Sequence, residues 1–228
     1  MIHNKREFGG GVALLVAFFV VLFLMFQPMF NGHNAMEYLD NLYNSISKGS
    51  VDYAPGLKAE AARYNNKSLD LKLTYASEIE AQQSADLFKL AGAVTDIDGK
   101  TLHVSGSLGL IMDATLTDSN LLYHNDSKSL EEKYGIEGRR VLYNWWSSYK
   151  LIDKGLTKQK EFEAAKSTAT ISKKAVEASY NYFGVEPVNI MDELGLVIFS
   201  LAFYVIYTLW YGFAILFIFE GWGLKLSH

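Results

Sequence analysis

Two charge-free apolar runs stand near the two ends of the chain, at residues 11–30 (GVALLVAFFVVLFLMFQPMF) and 194–219 (LGLVIFSLAFYVIYTLWYGFAILFIF). About 20 apolar residues in helical form cross the ~30 Å hydrocarbon core of a bilayer, so each run predicts a transmembrane helix. The first run exceeds the roughly 7 to 15 apolar residues of a signal peptide and no small-residue cleavage site follows it closely, which predicts an uncleaved anchor. Lys5 and Arg6 precede the first run and Lys225 follows the second, whereas Asp192 and Glu193 lie at the opposite mouth of the second. The positive-inside bias then places both termini in the cytoplasm and residues 31–193 outside it.

Between the runs the period of the apolar positions changes several times. Met36, Leu39, Leu42, Tyr43 and Ile46 recur at helical spacing, with Asn34 as N-cap and Gly49 as stop. A turn at residues 53–56 containing Pro55 leads into a short helical stretch, LKAEAARY. In SLDLKLTY, Leu69, Leu71, Leu73 and Tyr75 alternate with polar residues, the two-residue repeat of a half-buried strand. Helical spacing returns through Ala81, Ala85, Phe88 and Ala91; then Asp98-Gly99 predicts a two-residue hairpin turn between strands at 93–97 and 100–105. Ser105 or Ser107 caps a helix bearing Leu108, Ile111, Met112, Thr115 and Leu122. Beyond the loop HNDSKS, Val141, Leu142, Trp145, Trp146, Tyr149 and Ile152 mark a helix ending near Gly155, and a last helix covers residues 157–183.

The expected organisation is an α+β membrane protein. It has a cytoplasmic tail (1–10), a first span (11–30), an extracytoplasmic α/β domain (31–193) with a β-α-β-β-α unit at 68–123, a second span (194–219) and a short cytoplasmic tail (220–228). The β-α-β-β-α order resembles ferredoxin-like or split β-α-β shapes, which host unrelated functions and imply no activity.

Composition narrows the chemistry. The 228 residues carry 21 basic and 25 acidic side chains, a net charge of −4 with no basic arm, so nucleic acid is not an expected partner. Cysteine is absent, which excludes disulfides, thiolate metal sites and Cys nucleophiles from this chain. The five histidines, at 3, 33, 103, 124 and 228, have no companion at metal-ligand spacing. Neither apolar run holds a histidine, and Met25 and Met29 crowd one end of the first, so a buried haem is not expected. Asp96-Ile97-Asp98-Gly99 lacks the remaining ligands of a calcium loop, and no phosphate-binding glycine motif or GxSxG is present. No cofactor, metal or catalytic residue is assigned.

Two aromatic features rise above this background. Ser200, Tyr204, Tyr207 and Tyr211, with Thr208 beside them, line one face of the second span. A phenol unpaired against lipid costs a few kcal/mol, so these groups need partners: backbone carbonyls and water, the helix of another protein, or a quinone or lipid headgroup. Gln27, the lone amide of the first run, is too near its end to serve the whole stripe. Trp145, Trp146 and Tyr149 form either a wide apolar face buried between helices or a candidate extramembrane contact. Adjacent helical positions point about 100° apart, so the two tryptophans cannot face one core equally.

These features predict a non-catalytic two-pass subunit or scaffold of a larger membrane assembly in a bacterial or archaeal cytoplasmic membrane, its partners being lipid, other membrane subunits or further copies of itself. The alternative is an extracytoplasmic small-molecule sensing module that signals through a partner's helices. In layout alone that alternative resembles the input regions of bacterial chemoreceptors and sensor kinases, which continue into a cytoplasmic signalling segment.

Overall fold

The computed structural model describes residues 2–30, 32–50 and 54–224. The chain is mixed α+β and forms two compact units, Met1–Ser50 with Glu186–His228, and Val51–Val185. Asn31, Tyr53, Lys225 and His228, all used in the sequence reading, lie outside the described residues.

In the first unit, α1 (Lys5–Met25) and α10 (Leu194–Trp222) are both long and apolar enough to cross a membrane. Helix α1 begins and ends about five residues before the apolar run. Its start is set by Asn4, whose side chain accepts from the backbone of Arg6 and Glu7. Its end is set by Pro28, which has no N–H and disfavours helical Gln27. The Gln27 amide turns back onto the Phe23 carbonyl at 3.1 Å. Helix α10 runs three residues past the expected boundary and closes on Gly223 at φ 92°.

The two helices are antiparallel. The N–H groups of His3 and Asn4 both reach the Gly221 carbonyl at 2.9 Å, so the N-terminus of α1 and the C-terminus of α10 emerge at the same end. Close approach requires glycine at Gly11, where a Cβ would stand 2.7 Å from the Ile218 nitrogen and 2.9 Å from the Ala214 carbonyl. Helix α2 (Ala35–Ser50) starts with a reciprocal cap. Glu37 N–H donates to the Asn34 side chain at 2.9 Å and Asn34 N–H to the Glu37 carboxylate at 3.3 Å. Its Leu42 and Ile46 pack on Val197. Gly49 is not the helix stop; the helix continues to Ser50, and the bare Cα lets the Val188 carbonyl pass where a Cβ would lie 2.6 Å away.

The second unit holds a three-stranded antiparallel sheet, β1 (Ser68–Thr74), β2 (Val94–Asp98) and β3 (Thr101–Ser107), in the order β1-β3-β2. With α4 (Glu78–Leu90) and α5 (Leu108–Tyr123) it forms the β-α-β-β-α unit, β3 lying between β1 and β2. The hairpin turn falls one residue later than expected. Asp98 stays in the ladder opposite Thr101, and Gly99 takes the positive φ of 55° that the turn needs. Leu69, Leu71, Leu73, Leu102 and Val104 are buried on one face, and Asp70, Lys72 and Asp96 are exposed on the other. The Asp70 carboxylate on that open face meets His103 at 2.8 Å.

Around the buried face pack α3 (Ala54–Ala62), α6 (Ser127–Tyr134), α7 (Gly138–Lys158), α8 (Phe162–Ile171), a π-helical turn (Ser172–Glu177) and α9 (Ala178–Tyr182). Four expectations change here. Ala54–Gly56, expected as part of a turn, belongs to the start of α3. The expected loop after His124 gives way to α6, capped by Asp126 and stopped by Gly135 at φ 70°. Gly155 lies inside α7, where its missing side chain admits the Leu71 methyls that a Cβ would approach to 2.7 Å. The single last helix is divided by a turn at residues 159–161 and then by the π-helical turn.

Candidate functional site

On α10 the tyrosine face is divided between partners inside the chain and open surface. Tyr207 donates to the Phe18 carbonyl at 3.1 Å and stacks on the Phe18 ring, centroids 4.2 Å apart. Ser200 is buried, within 2.6 Å of the Tyr43 hydroxyl, and donates to the Val197 carbonyl. Thr208 donates to the Tyr204 carbonyl one turn back, and Tyr211 leans on Phe18 at 5.2 Å. The Trp210 indole reaches the Leu14 carbonyl at 3.1 Å, an anchor outside the predicted stripe. The backbone of α1 is therefore the partner of Tyr207, while Ser200 bonds α2 and its own helix and Thr208 bonds its own helix. Tyr204 is 69% exposed, and its hydroxyl has no hydrogen bond among the described residues.

On α7 the two tryptophans separate. Trp145 is fully buried, edge-on to Phe88 at 5.4 Å, and Tyr149 beside it is also buried, so neither presents a contact surface. Trp145 is fixed by a buried carboxylate. Asp118 on α5 accepts from the Trp145 indole at 2.8 Å, the Tyr134 hydroxyl at 2.6 Å and the Lys133 ammonium at 2.7 Å. Burial and the negative Asp118 push the Tyr134 phenol strongly upward, which keeps it a donor.

Trp146 turns about 100° away and lines a groove of about 410 Å³ with Tyr143, Tyr180, Glu177 and Asn181 over a floor of Leu142 and Val176. Its indole N–H donates to Glu177 at 2.9 Å. Cations rest on three of the rings: Lys150 on Trp146 at 3.4 Å, Arg140 on Tyr143 at 5.0 Å and Arg139 on Tyr180 at 4.8 Å. Glu177 closes the π-helical turn, a local irregularity that often accompanies binding sites. The wider turn shifts every later position around the helix axis. A continuous-helix reading of residues 157–183 therefore misses Glu177, Tyr180 and Asn181, while Tyr143 was visible as the i−3 neighbour of Trp146. The arrangement suits a small ligand with a flat or apolar body: aromatic walls, one anchored carboxylate and cations at the margin.

Among the described residues, no group of three or more His, Cys, Asp or Glu is placed to hold a metal ion. His124 bonds the Asn120 carbonyl and His33 lies 3.5 Å from Glu37. Comparison with models of protein families, with curated proteins and with solved structures finds no match.

Proposed function

We propose that the chain is a two-pass integral membrane protein acting as a non-catalytic subunit or scaffold of a larger membrane assembly. In this reading both termini lie in the cytoplasm and the unit Val51–Val185 lies outside it. The observation that carries the proposal is Tyr204. Ten residues inside a charge-free stretch, about 15 Å from its start, this exposed phenol has no hydrogen-bond partner among the described residues, in surroundings where lipid offers none. Phe199, Leu201, Val205, Ile206 and Phe213 around it are more than half exposed, a surface suited to lipid and to another helix.

Extraction in mild detergent tests this. Tagged protein is expected to recover partners at fixed stoichiometry, with the yield reduced by Tyr204→Phe. A lone monomer, indifferent to that change, overturns the reading. The groove at Trp146 favours a second reading, a small-molecule sensing module. That reading expects a ligand-dependent rise in thermal stability which Trp146→Ala removes.

A further inference from the structure

The two edges of the sheet carry opposite charge. Strands β1 and β2 both run antiparallel to β3 and occupy the two edges, so they point the same way. Tyr75 N–H continues the ladder to the Lys100 carbonyl at 2.9 Å, which turns the odd-numbered residues of β1 inward. Gln159 reaches the Asp70 carbonyl from the outer side at 3.2 Å, so the backbone groups of Lys72 and Thr74 also face outward. Beside this edge runs a groove of about 370 Å³ with Leu71 and Leu151 at its floor and Lys72, Lys154 and Lys158 around it. The β2 edge has a groove of about 410 Å³ lined by Ile79, Ile97 and Glu78, with Asp96 and Asp98 on the strand itself. Lys72, Lys154, Lys158, Glu78, Asp96 and Asp98 form no ion pair among the described residues. Ile79 and Val94, 68% and 75% exposed, add apolar surface on the acidic side.

We propose that the sheet continues from one copy of this chain into another, the basic β1 edge of one pairing in parallel with the acidic β2 edge of the next. Charged residues on an exposed edge ordinarily keep strands apart. Here the signs favour one pairing: with Asp70 engaged by His103, β1 against β1 leaves lysines facing lysines, β2 against β2 sets carboxylates against carboxylates, and β1 against β2 brings opposite charges together. The register supports it. Asp96, His103 and Lys72 form one row across the sheet, so in-register extension sets Lys72 of one copy beside Asp96 of the next. Three lysines then face three carboxylates around an apolar strip. The contact is head-to-tail, so it repeats until a ring closes or an array forms. It rests on the subunit reading in naming a partner for that subunit, and it uses no residue of the membrane helices.

The test uses full-length protein in mild detergent, where the absence of cysteine makes engineered thiols unambiguous. Lys72→Cys and Asp96→Cys proteins are oxidised separately and mixed. Disulfide dimer is expected in the mixture at ten times the amount in either protein alone. Lys72→Cys dimerising equally well by itself indicates a symmetric edge contact and overturns the proposal, as does a lack of dimer in every arm when circular dichroism shows native fold. Lys72→Glu and Asp96→Lys are each expected to weaken association at least tenfold, and their mixture to restore it within threefold. Association unchanged by either single reversal overturns the proposal. If the chain instead recovers other proteins through Tyr204 and never pairs with itself, the edge contact fails and the subunit reading stands.

Discussion

The hydroxyl of Tyr207 donates to the backbone carbonyl of Phe18 while the two rings stack at an interplanar angle of 16°, so one side chain supplies both a polar and an aromatic contact between α1 and α10. Tyr207→Phe keeps the stack and removes the bond. A loss of about 1 kcal/mol in the stability of the helix pair is expected, within the range measured for hydrogen bonds between membrane helices. Steric-trap unfolding in bicelles measures it. Tyr204→Phe leaves that stability unchanged and lowers partner recovery, a separation that the two exposures predict.

Gly11 and Gly10 are neighbours with opposite tolerance. A side chain at Gly11 enters the Ile218 backbone, whereas at Gly10 nothing lies within 4 Å. Gly11→Val is expected to cost about 2 kcal/mol or more through overpacking and lost helix contact, and Gly10→Val to remain near neutral. Thermal unfolding of the two variants in the same micelle compares them directly.

Asp118 is fully buried and satisfies three donors from α6 and α7. Asp118→Ala leaves a lysine, a phenol and an indole without their acceptor. A destabilisation of about 3–5 kcal/mol is expected, the usual cost of removing one member of a buried ionic network. Urea unfolding followed by tryptophan fluorescence reports it, with Trp145 itself as the local probe.

Alkaline pH tests the buried tyrosines. Ser148 gives its own proton to the Asn144 carbonyl, so Tyr75 donates to Ser148 at 2.7 Å. Burial pushes the Tyr75 phenol up to about 12. An unfolded tyrosine ionises near 10, so above that pH the unfolded state binds fewer protons. The contribution is therefore fully present below about pH 10 and is lost as pH rises through about 12. Tyr149, also pushed upward by burial, acts in the same direction. Stability measured between pH 9 and 12 should fall, and Tyr75→Phe should flatten part of the slope.

Period and punctuation made much of the architecture legible. Alternation at Leu69, Leu71 and Leu73 marked β1, and two charge-free runs marked the long helices. Two glycines shifted helix ends by one to three residues, because one residue serves two purposes. Gly49 reads as a helix stop and Gly155 as lying near one, yet each is a place where another segment passes close to the helix. Local sequence cannot tell a terminating glycine from a packing glycine; the neighbour that makes the difference lies 139 positions away for Gly49 and 84 for Gly155.

The sequence by itself determined which segments must avoid water, the strand alternation and the absence of thiol chemistry, since these follow from side-chain identity and short-range period. Only the tertiary structure decided which tryptophan is core and which lines a groove, which tyrosine is satisfied by a carbonyl 189 positions away, and that the sheet has one basic and one acidic edge. The physical reason is that hydrogen-bond satisfaction and surface charge depend on neighbours brought together by folding, whereas hydrophobic period belongs to each segment alone.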